Sequence, residues 1–204
     1  MVFRKRIRVT IQLLGFINPL LTGNKIFIDR TARIGGLSPE LALAYAISGP
    51  NLRGSGVKRD LRKDEPYALY ASLEFEVCIG KGRFGPVGSC LDRYIVRIEE
   101  IGESLKIVRQ CLDKIHSHNI DVHAGLPASW NAPVGECYFR AETARGELGV
   151  LLISDGGPKP YRCKFRSPGF HAIQLIPEIS RGCLLADLPA IIGSLDFVMC
   201  EVDR

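Results

Sequence analysis

The chain has 204 residues, of which 46% are hydrophobic and 24% are charged. This composition excludes intrinsic disorder, because disordered chains lack the apolar side chains that form a core. The formal net charge is only +5, and basic residues are not interleaved with aromatic ones, so we expect no nucleic-acid binding. The apolar runs are far shorter than the roughly 20 residues that a membrane-spanning helix needs. We therefore expect a globular protein that is not embedded in a membrane.

The first 28 residues are basic and contain no acidic side chain. Organelle-targeting segments share this charge pattern, but they are also amphipathic and rich in serine. Apolar residues alternate here with polar ones at Ile7, Val9, Ile11 and Leu13. This alternation is typical of a β-strand. We predict a half-buried strand or an irregular start rather than a targeting segment.

The middle of the chain predicts helices separated by short loops. Ser38 and Pro39 have the residue types of an N-cap and a first helical position, so a helix is expected to start there and to end near Gly49. Phe75 and Val77 alternate with glutamates, which predicts a short strand ending at Cys78. Across residues 92–115 apolar side chains recur every three or four residues, which predicts a long amphipathic helix. Charged residues fill its other faces, namely Arg97, Glu99, Glu100, Glu103, Lys106 and Arg109.

The second half of the chain has the patterns of strands followed by short helices. Residues 136–142, 147–154 and 161–166 are predicted strands, and a Gly-Gly-Pro turn at 156–158 lies between the last two. Helical segments are expected near 171–180 and 184–192. The order of elements predicts an α+β fold with a long amphipathic helix, shorter helices and a small antiparallel sheet.

A glycine-rich motif, GKGRFG at residues 80–85, fits the pattern GxGxxG. In a dinucleotide-binding site the last glycine opens a helix, so that the pyrophosphate meets the helix N-terminus. Here the predicted helix begins only near Asp92. We therefore interpret the motif as a glycine-rich loop.

Metal-ligating residue types are present but poorly spaced. His116, His118 and His123 would bind zinc only if their loop folded around the ion, and a solvated loop is the simpler interpretation. The seven cysteines are twelve or more positions apart, so they form no zinc or iron–sulfur motif. We expect buried free thiols in a reducing compartment and no metal in this chain.

The C-terminal run, residues 193–204, is unusually apolar and includes acidic residues and a final arginine. Chain ends are normally polar and frayed. We therefore expect this end to be docked inside the protein, where its charges need partners. The turns at 145–149 and 154–162 bracket a hairpin, and any role for them depends on what they face.

Five stretches of the sequence together resemble, in order, the D-subunit family of respiratory complex I (NADH-quinone oxidoreductase). They cover most of residues 20–204, and residues 1–19 form a divergent basic segment. The family is related to the large subunit of nickel–iron hydrogenases. The stretches are LTGNKIFIDRT (21–31), GPNLRGSGVKRDLRK (49–63), LDRYIVRIEEIGESLKIVRQCL (91–112), GECYFRAETARGELGVLLISDGGPKPYRCKFRSPGF (135–170) and ADLPAIIGSLDFVMCEVDR (186–204).

The resemblance implies the fold of the C-terminal half of a hydrogenase-like large subunit. It implies a core subunit that forms part of a quinone-reduction site in the peripheral arm of the complex. Electrons from NADH would arrive through FMN and iron–sulfur clusters held by partner subunits, and quinone reduction would be coupled to proton translocation. The protein would lie peripherally on the inner membrane, on the bacterial cytoplasmic face or the mitochondrial matrix side, and would be inactive alone.

The resemblance also points to site residues in the C-terminal run. Hydrogenases bind nickel there through Asp-Pro-Cys-x-x-Cys, and alignment on Asp196 puts Val198 and Glu201 at the cysteine positions, which argues against nickel. Asp196, Val198 and Arg204 match family positions associated with quinone or inhibitor binding. Val198 would offer an apolar wall, and the two charged residues would tune charge and proton supply.

Family members are about twice as long, and the histidine and tyrosine that contact the quinone headgroup belong to the half that has no counterpart here. We expect a family member split over two polypeptides or a truncated product. The expected partners are the missing N-terminal half, the iron–sulfur subunit with the terminal cluster, other peripheral-arm subunits and a membrane subunit at the cavity. Two alternatives stay open, a non-catalytic truncated paralogue with an assembly or scaffold role and a subunit of a hydrogenase-related membrane complex.

Overall fold

The computed structural model describes residues 2–117 and 131–203, with side chains from residue 6 to 115 and from 131 onward. The helices of the first part are α1 (Val2–Ile17), a π-helical turn (Asn18–Thr22), α2 (Lys25–Thr31), α3 (Pro39–Ala44), α4 (Gly49–Gly54), α5 (Leu61–Asp64), a 3-10 turn (Tyr70–Ser72) and α6 (Cys90–Ser117). The second part contains β1 (Gly135–Thr143), β2 (Gly146–Ser154), β3 (Arg162–Arg166), α7 (Pro168–Ile173), α8 (Ile176–Ile179), a 3-10 turn (Leu185–Asp187), α9 (Leu188–Leu195) and α10 (Met199–Val202). The predicted α+β class is confirmed.

The three strands form an antiparallel sheet in sequence order, with β2 in the centre. Glu142 pairs with Glu147 across the first hairpin, and Val150 pairs with Phe165 across the second. The predicted strands and the long helix are confirmed to within about two residues at each end. The predicted C-terminal helices are divided into shorter ones, because Pro177 and Pro189 lie in the first turns of α8 and α9. Helix α7 begins earlier than predicted, at Pro168.

Two predicted strands are wrong. Residues 7–13 belong to helix α1, because Ile7, Ile11 and Leu14 also have helical spacing and line one groove together with α6. Residues 74–78 form no strand, since the amide N–H groups of Glu74 and Glu76 donate to side chains of α6 instead of to a neighbouring strand. Their acceptors are Gln110 Oε1, at 2.8 Å, and Glu103 Oε2, at 3.0 Å.

The predicted helix start at Ser38 is confirmed, because Ser38 Oγ accepts a hydrogen bond from the Leu41 amide at 3.2 Å. The helix ends earlier than predicted, at Ala44. Ala46 and Gly49 have φ angles of 52° and 66°, which no α-helix accommodates. The chain therefore turns sharply and restarts as α4.

The main hydrophobic core lies among α3, α4, α7, α8 and α9, and the first residue of α6 closes it. Its buried members are Leu37, Ala42, Ile47, Leu52, Cys90, Ala172, Leu175, Ile179, Ile191 and Leu195. All seven cysteines are free thiols, but Cys90 alone is buried, and Cys137, Cys163 and Cys200 are exposed. The expectation of buried thiols is wrong for those three, because two of them lie on the outer strands of a sheet that is largely open to solvent.

A buried ionic cluster ties the helical part to the sheet. The Arg53 side chain is 1% exposed and donates to Glu100 Oε1 at 2.5 Å and to Glu142 Oε1 at 2.8 Å. Asp60 Oδ2 lies 3.6 Å from the same guanidinium. Burial alone would lower the pKa of Arg53, but the two glutamates outweigh burial and raise it. This cluster fixes α4 against α6 and β1 and so positions the elements that form the site described next.

Candidate functional site

The end of α9 is held by side chains from three other elements. Asp196 ends this helix in the left-handed conformation, with φ 52°. Three successive backbone carbonyls at this turn each accept a hydrogen bond from a side chain, namely Ser194 O from Arg97 Nη1 at 2.8 Å, Leu195 O from Asn51 Nδ2 at 2.9 Å, and Asp196 O from Arg145 Nε at 3.0 Å. Carbonyls at a helix C-terminus otherwise lack partners, and cationic donors suit them. The turn is therefore fixed from α6, α4 and the β1–β2 hairpin.

A cavity of about 450 Å³ opens beside this turn, between α2, α6 and α9. Its walls are largely apolar, with the rings of Phe27 and Tyr94 in edge-to-face contact at 5.0 Å. Arg97, Ser194 and Asp196 provide its polar edge. An apolar hollow with a few polar groups on one side is typical of a small-molecule site.

A larger cavity, of about 830 Å³, lies between α1, residues 74–76 and α6. Charged side chains of both signs form much of its wall, including Glu74, Glu103 and Lys106. None of the residues that the sequence singled out as site residues lines it. We therefore take the smaller cavity beside Asp196 as the candidate site.

The candidate site is cationic around a single carboxylate. Asp196 Oδ2 lies 3.8 Å from both Arg97 Nε and Arg145 Nε, which is within ion-pair distance but too long for a hydrogen bond. Arg93 is fully buried behind the turn and donates to Ser194 Oγ at 2.8 Å. Three guanidinium groups thus contact the turn that carries this carboxylate.

Arg97 is the one of these three arginines that lines the cavity. Burial lowers its pKa to about 10, and the neighbouring Arg93 acts in the same direction while Asp196 opposes the shift. It still carries its charge at neutral pH. Its Nε atom is buried and has no hydrogen-bond acceptor in the described part of the chain, so the nearby Asp196 carboxylate is its electrostatic partner.

The structure places the three predicted site residues differently. Asp196 lines the cavity. Val198 is half-buried and precedes α10 in an extended conformation, but it is not one of the residues that line the cavity. Arg204 lies outside the described residues, as do His118, His123 and the side chain of His116.

The C-terminal run is docked as predicted. The Ser167 hydroxyl donates to the backbone carbonyl of Glu201 at 2.6 Å, and Glu201 Oε2 accepts from the Gly169 amide at 3.1 Å. The run therefore rests against the start of α7. Asp196 and Glu201 both have partners, as predicted for the charges of this run, although the Asp196 side chain remains 44% exposed.

The glycine-rich loop at 80–85 is confirmed as a loop. The Asp92 carboxylate, in the first turn of α6, accepts hydrogen bonds from the amides of Gly82 and Gly88 at 3.1 and 3.2 Å. A side chain of the protein thus occupies the place that a phosphate would need. Within residues 2–117 and 131–203, no three His, Cys, Asp or Glu side chains are grouped to hold a metal ion, and no described helix is long and apolar enough to cross a membrane.

The sequence does not assign to the site the two arginines that lie within ion-pair distance of Asp196, Arg97 and Arg145. Arg97 was assigned to a solvated face of α6, but its side chain is only 19% exposed. Its spacing from the buried Cys90 and Arg93 was the available signal, since residues three, four and seven apart share one helix face. Arg145 lies in a hairpin turn, and nothing in its local sequence indicates which element the turn meets.

Comparison with known proteins identifies the family. The chain matches the family described as the respiratory-chain NADH dehydrogenase 49 Kd subunit, over residues 3–129 and 125–204. The chain belongs to this family. Its elements α2 to α10 and the cavity beside Asp196 all lie within the matched residues.

Individual relatives agree with this membership, and three of them are D subunits of NADH-quinone oxidoreductase. The chain is 50% identical over 187 residues to that of Chlorobaculum parvum, a match that covers 91% of this chain and 47% of the relative. It is 45% identical over 211 residues to that of Chlorobium chlorochromatii, covering 99% and 52%, and 48% identical over 187 residues to that of Prosthecochloris aestuarii, covering 91% and 47%. The chain thus spans about half the length of the curated relatives it matches.

Proposed function

We propose that this chain forms part of the wall of a quinone-reduction site in NADH-quinone oxidoreductase. The observation that carries the proposal is the apolar cavity beside Asp196, with the positive charge of Arg97 at its edge and that of Arg145 beside the Asp196 carboxylate. Family membership supports a role in this oxidoreductase. The cavity supplies what a quinone requires, namely an apolar surface for the ring and a polar edge for its oxygens.

The residues of the site suit the chemistry of quinone reduction. A quinone takes up two electrons and two protons to become a hydroquinone, and negative charge develops on its oxygens as the electrons arrive. Fixed cationic groups in a poorly solvated site stabilise such charge. Arg97 and Arg145 provide this positive charge here. Asp196 is the ionisable group that exchanges protons at the cavity edge. Val198 contributes apolar surface further along the same run.

The other components of the proposed quinone-reducing complex lie outside this chain. The sequence that the relatives carry beyond the match supplies the rest of the pocket, and partner subunits hold FMN and the iron–sulfur clusters that deliver electrons from NADH. A membrane subunit meets the cavity at the membrane surface, so the assembly lies on the inner membrane. The assembly couples quinone reduction to proton translocation. Exposed large apolar side chains support contacts with such partners; they include Phe16, Leu20, Tyr138, Phe139 and Phe165.

Two substitutions test the proposed function in the assembled complex. Asp196→Asn removes the ionisable group, and we expect kcat/KM for decylubiquinone to fall by about 10- to 100-fold. Val198→Met adds bulk to the half-buried run just beyond the cavity residue Asp196, and we expect a several-fold change in the KM for decylubiquinone with normal assembly. NADH-dependent quinone reduction is the measurement.

Val108→Met is the matched control, because Val108 is 41% exposed on α6 and lies about three helical turns beyond Arg97, the last cavity residue of that helix. Wild-type kinetics for Asp196→Asn and Val198→Met in a complete complex would contradict the proposal. That result would favour an assembly or scaffold role for this chain.

A further inference from the structure

The inference concerns how Asp196 is presented to the cavity, and it rests on the proposed function. Asp196 occupies a left-handed conformation, φ 52°, which aspartate tolerates better than most residues but which still brings the Cβ atom close to the backbone. The surrounding contacts determine how such a turn presents its side chain. The groups that do so are therefore part of the site even when they do not contact a ligand.

Arg97 is central among these groups. Its Nη1 donates to Ser194 O at 2.8 Å, and its Nη2 donates to Asn51 Oδ1 at 2.8 Å. Asn51 is itself buried and donates to Leu195 O at 2.9 Å. One guanidinium thus fixes two consecutive carbonyls at the end of α9, the first directly and the second through an amide side chain.

The remaining nitrogen of Arg97 faces the carboxylate. Nε is buried, has no hydrogen-bond acceptor among the described residues, and lies 3.8 Å from Asp196 Oδ2. A buried donor without a hydrogen-bond partner costs free energy, and the charge of the neighbouring carboxylate offsets that cost. The Asp196 side chain is 44% exposed, so burial alone does not fix its orientation. Arg97 therefore determines both the backbone and the electrostatic surroundings of this carboxylate.

We propose that Arg97 is a positioning residue for quinone reduction, which acts by holding Asp196 at the cavity edge in its left-handed turn. Arg145 holds the other side of the turn through Asp196 O. Lysine is a poor replacement for Arg97, because one ammonium group at the end of a flexible stem does not reproduce the planar fork that reaches Ser194 O and Asn51 together.

The test is a double-mutant cycle in the assembled complex, with NADH-dependent reduction of decylubiquinone as the readout. We expect Arg97→Gln to lower kcat/KM by about 10- to 100-fold, because small misplacements of a catalytic group have effects of this size. If Arg97 acts through Asp196, the double variant Arg97→Gln/Asp196→Asn will be no slower than Asp196→Asn alone. Arg109→Gln, on the exposed side of the same helix, is the control and should retain wild-type kinetics.

The outcomes separate the two proposals. Losses that multiply in the double variant would overturn the positioning role, because they would show that Arg97 acts independently of Asp196. A normal Arg97→Gln beside an impaired Asp196→Asn would overturn this inference and leave the proposed function intact. A normal Asp196→Asn would overturn this inference, and together with a normal Val198→Met it would overturn the proposed function as well. If Arg97→Gln prevents assembly, Arg97→Lys takes its place in the cycle. The same comparison with Asp196→Asn then shows whether residue 97 acts through Asp196.

Discussion

At the scale of single residues, the fold depends on charges that are buried together. Arg53 has three carboxylates around it, from α6, from β1 and from the residue before α5, and its side chain is 1% exposed. Removal of one member of a buried ionic cluster leaves the others without compensation. We expect Arg53→Met to lower the free energy of unfolding of the full chain by about 3–5 kcal/mol, as measured by denaturant titration.

Arg83→Met is the control for this substitution. Arg83 also donates to a glutamate, Glu99, at 2.6 Å, but its side chain is 48% exposed. Ion pairs in solvent contribute only about 0–1 kcal/mol. A similar loss of stability for both variants would show that burial of Arg53 is not the decisive factor.

Buried charged residues such as Arg97 could not be assigned to the site from the sequence. Arginine is rarely buried without a partner, so the pattern of α6 assigns Arg97 to solvent by default. The partners that make burial possible come from α4 and from the turn after α9, both far away in the sequence. Asp196 was found through resemblance to a family, whereas the residues that hold it needed the structure.

At the scale of elements, the contact between the β1–β2 hairpin and α4 brings Arg145 to the site. Gly49 has a φ of 66°, and a Cβ atom there would lie 2.3 Å from the Cα of Gly146. Glycine is therefore required twice over, by conformation and by space. We expect Gly49→Ala to destabilise the full chain by clearly more than the roughly 1–2 kcal/mol that a left-handed alanine costs, as measured by thermal or denaturant unfolding.

Gly182→Ala separates the two causes. Gly182 also has a positive φ, 75°, but a Cβ atom there meets no atom within 4 Å. Gly182→Ala should therefore lose only the free energy that a left-handed alanine costs. Equal destabilisation by the two substitutions would argue against a close hairpin contact as the feature that positions Arg145.

The elements that were predictable are those whose pattern admits one interpretation. The periodicity of α6 extends over 28 residues, and the strands of the sheet are bounded by turn residues. In α1, residues four apart fit both an alternating strand and a helical stripe, so the short pattern was ambiguous. The segment at 74–78 is extended but satisfies its amides with side chains of α6, which no local pattern reveals.

At the scale of the whole molecule, the described residues form a core and one side of a site. The chain spans about half the length of its relatives, and large apolar side chains remain exposed on α1 and on the sheet. Exposed apolar side chains such as these are available for contacts with other proteins. The proposed function therefore belongs to an assembly in which this chain contributes the turn at Asp196 and the helices behind it.

The most direct test is photoaffinity labelling of the assembled complex with an azido-quinone, followed by mass spectrometry of peptides from this chain. We expect label on α9 and the turn that follows it, residues 188–198, and we expect excess decylubiquinone to compete for this labelling. Label confined to other surfaces of the complex, or label on this segment that decylubiquinone does not displace, would contradict the placement of a quinone pocket beside Asp196.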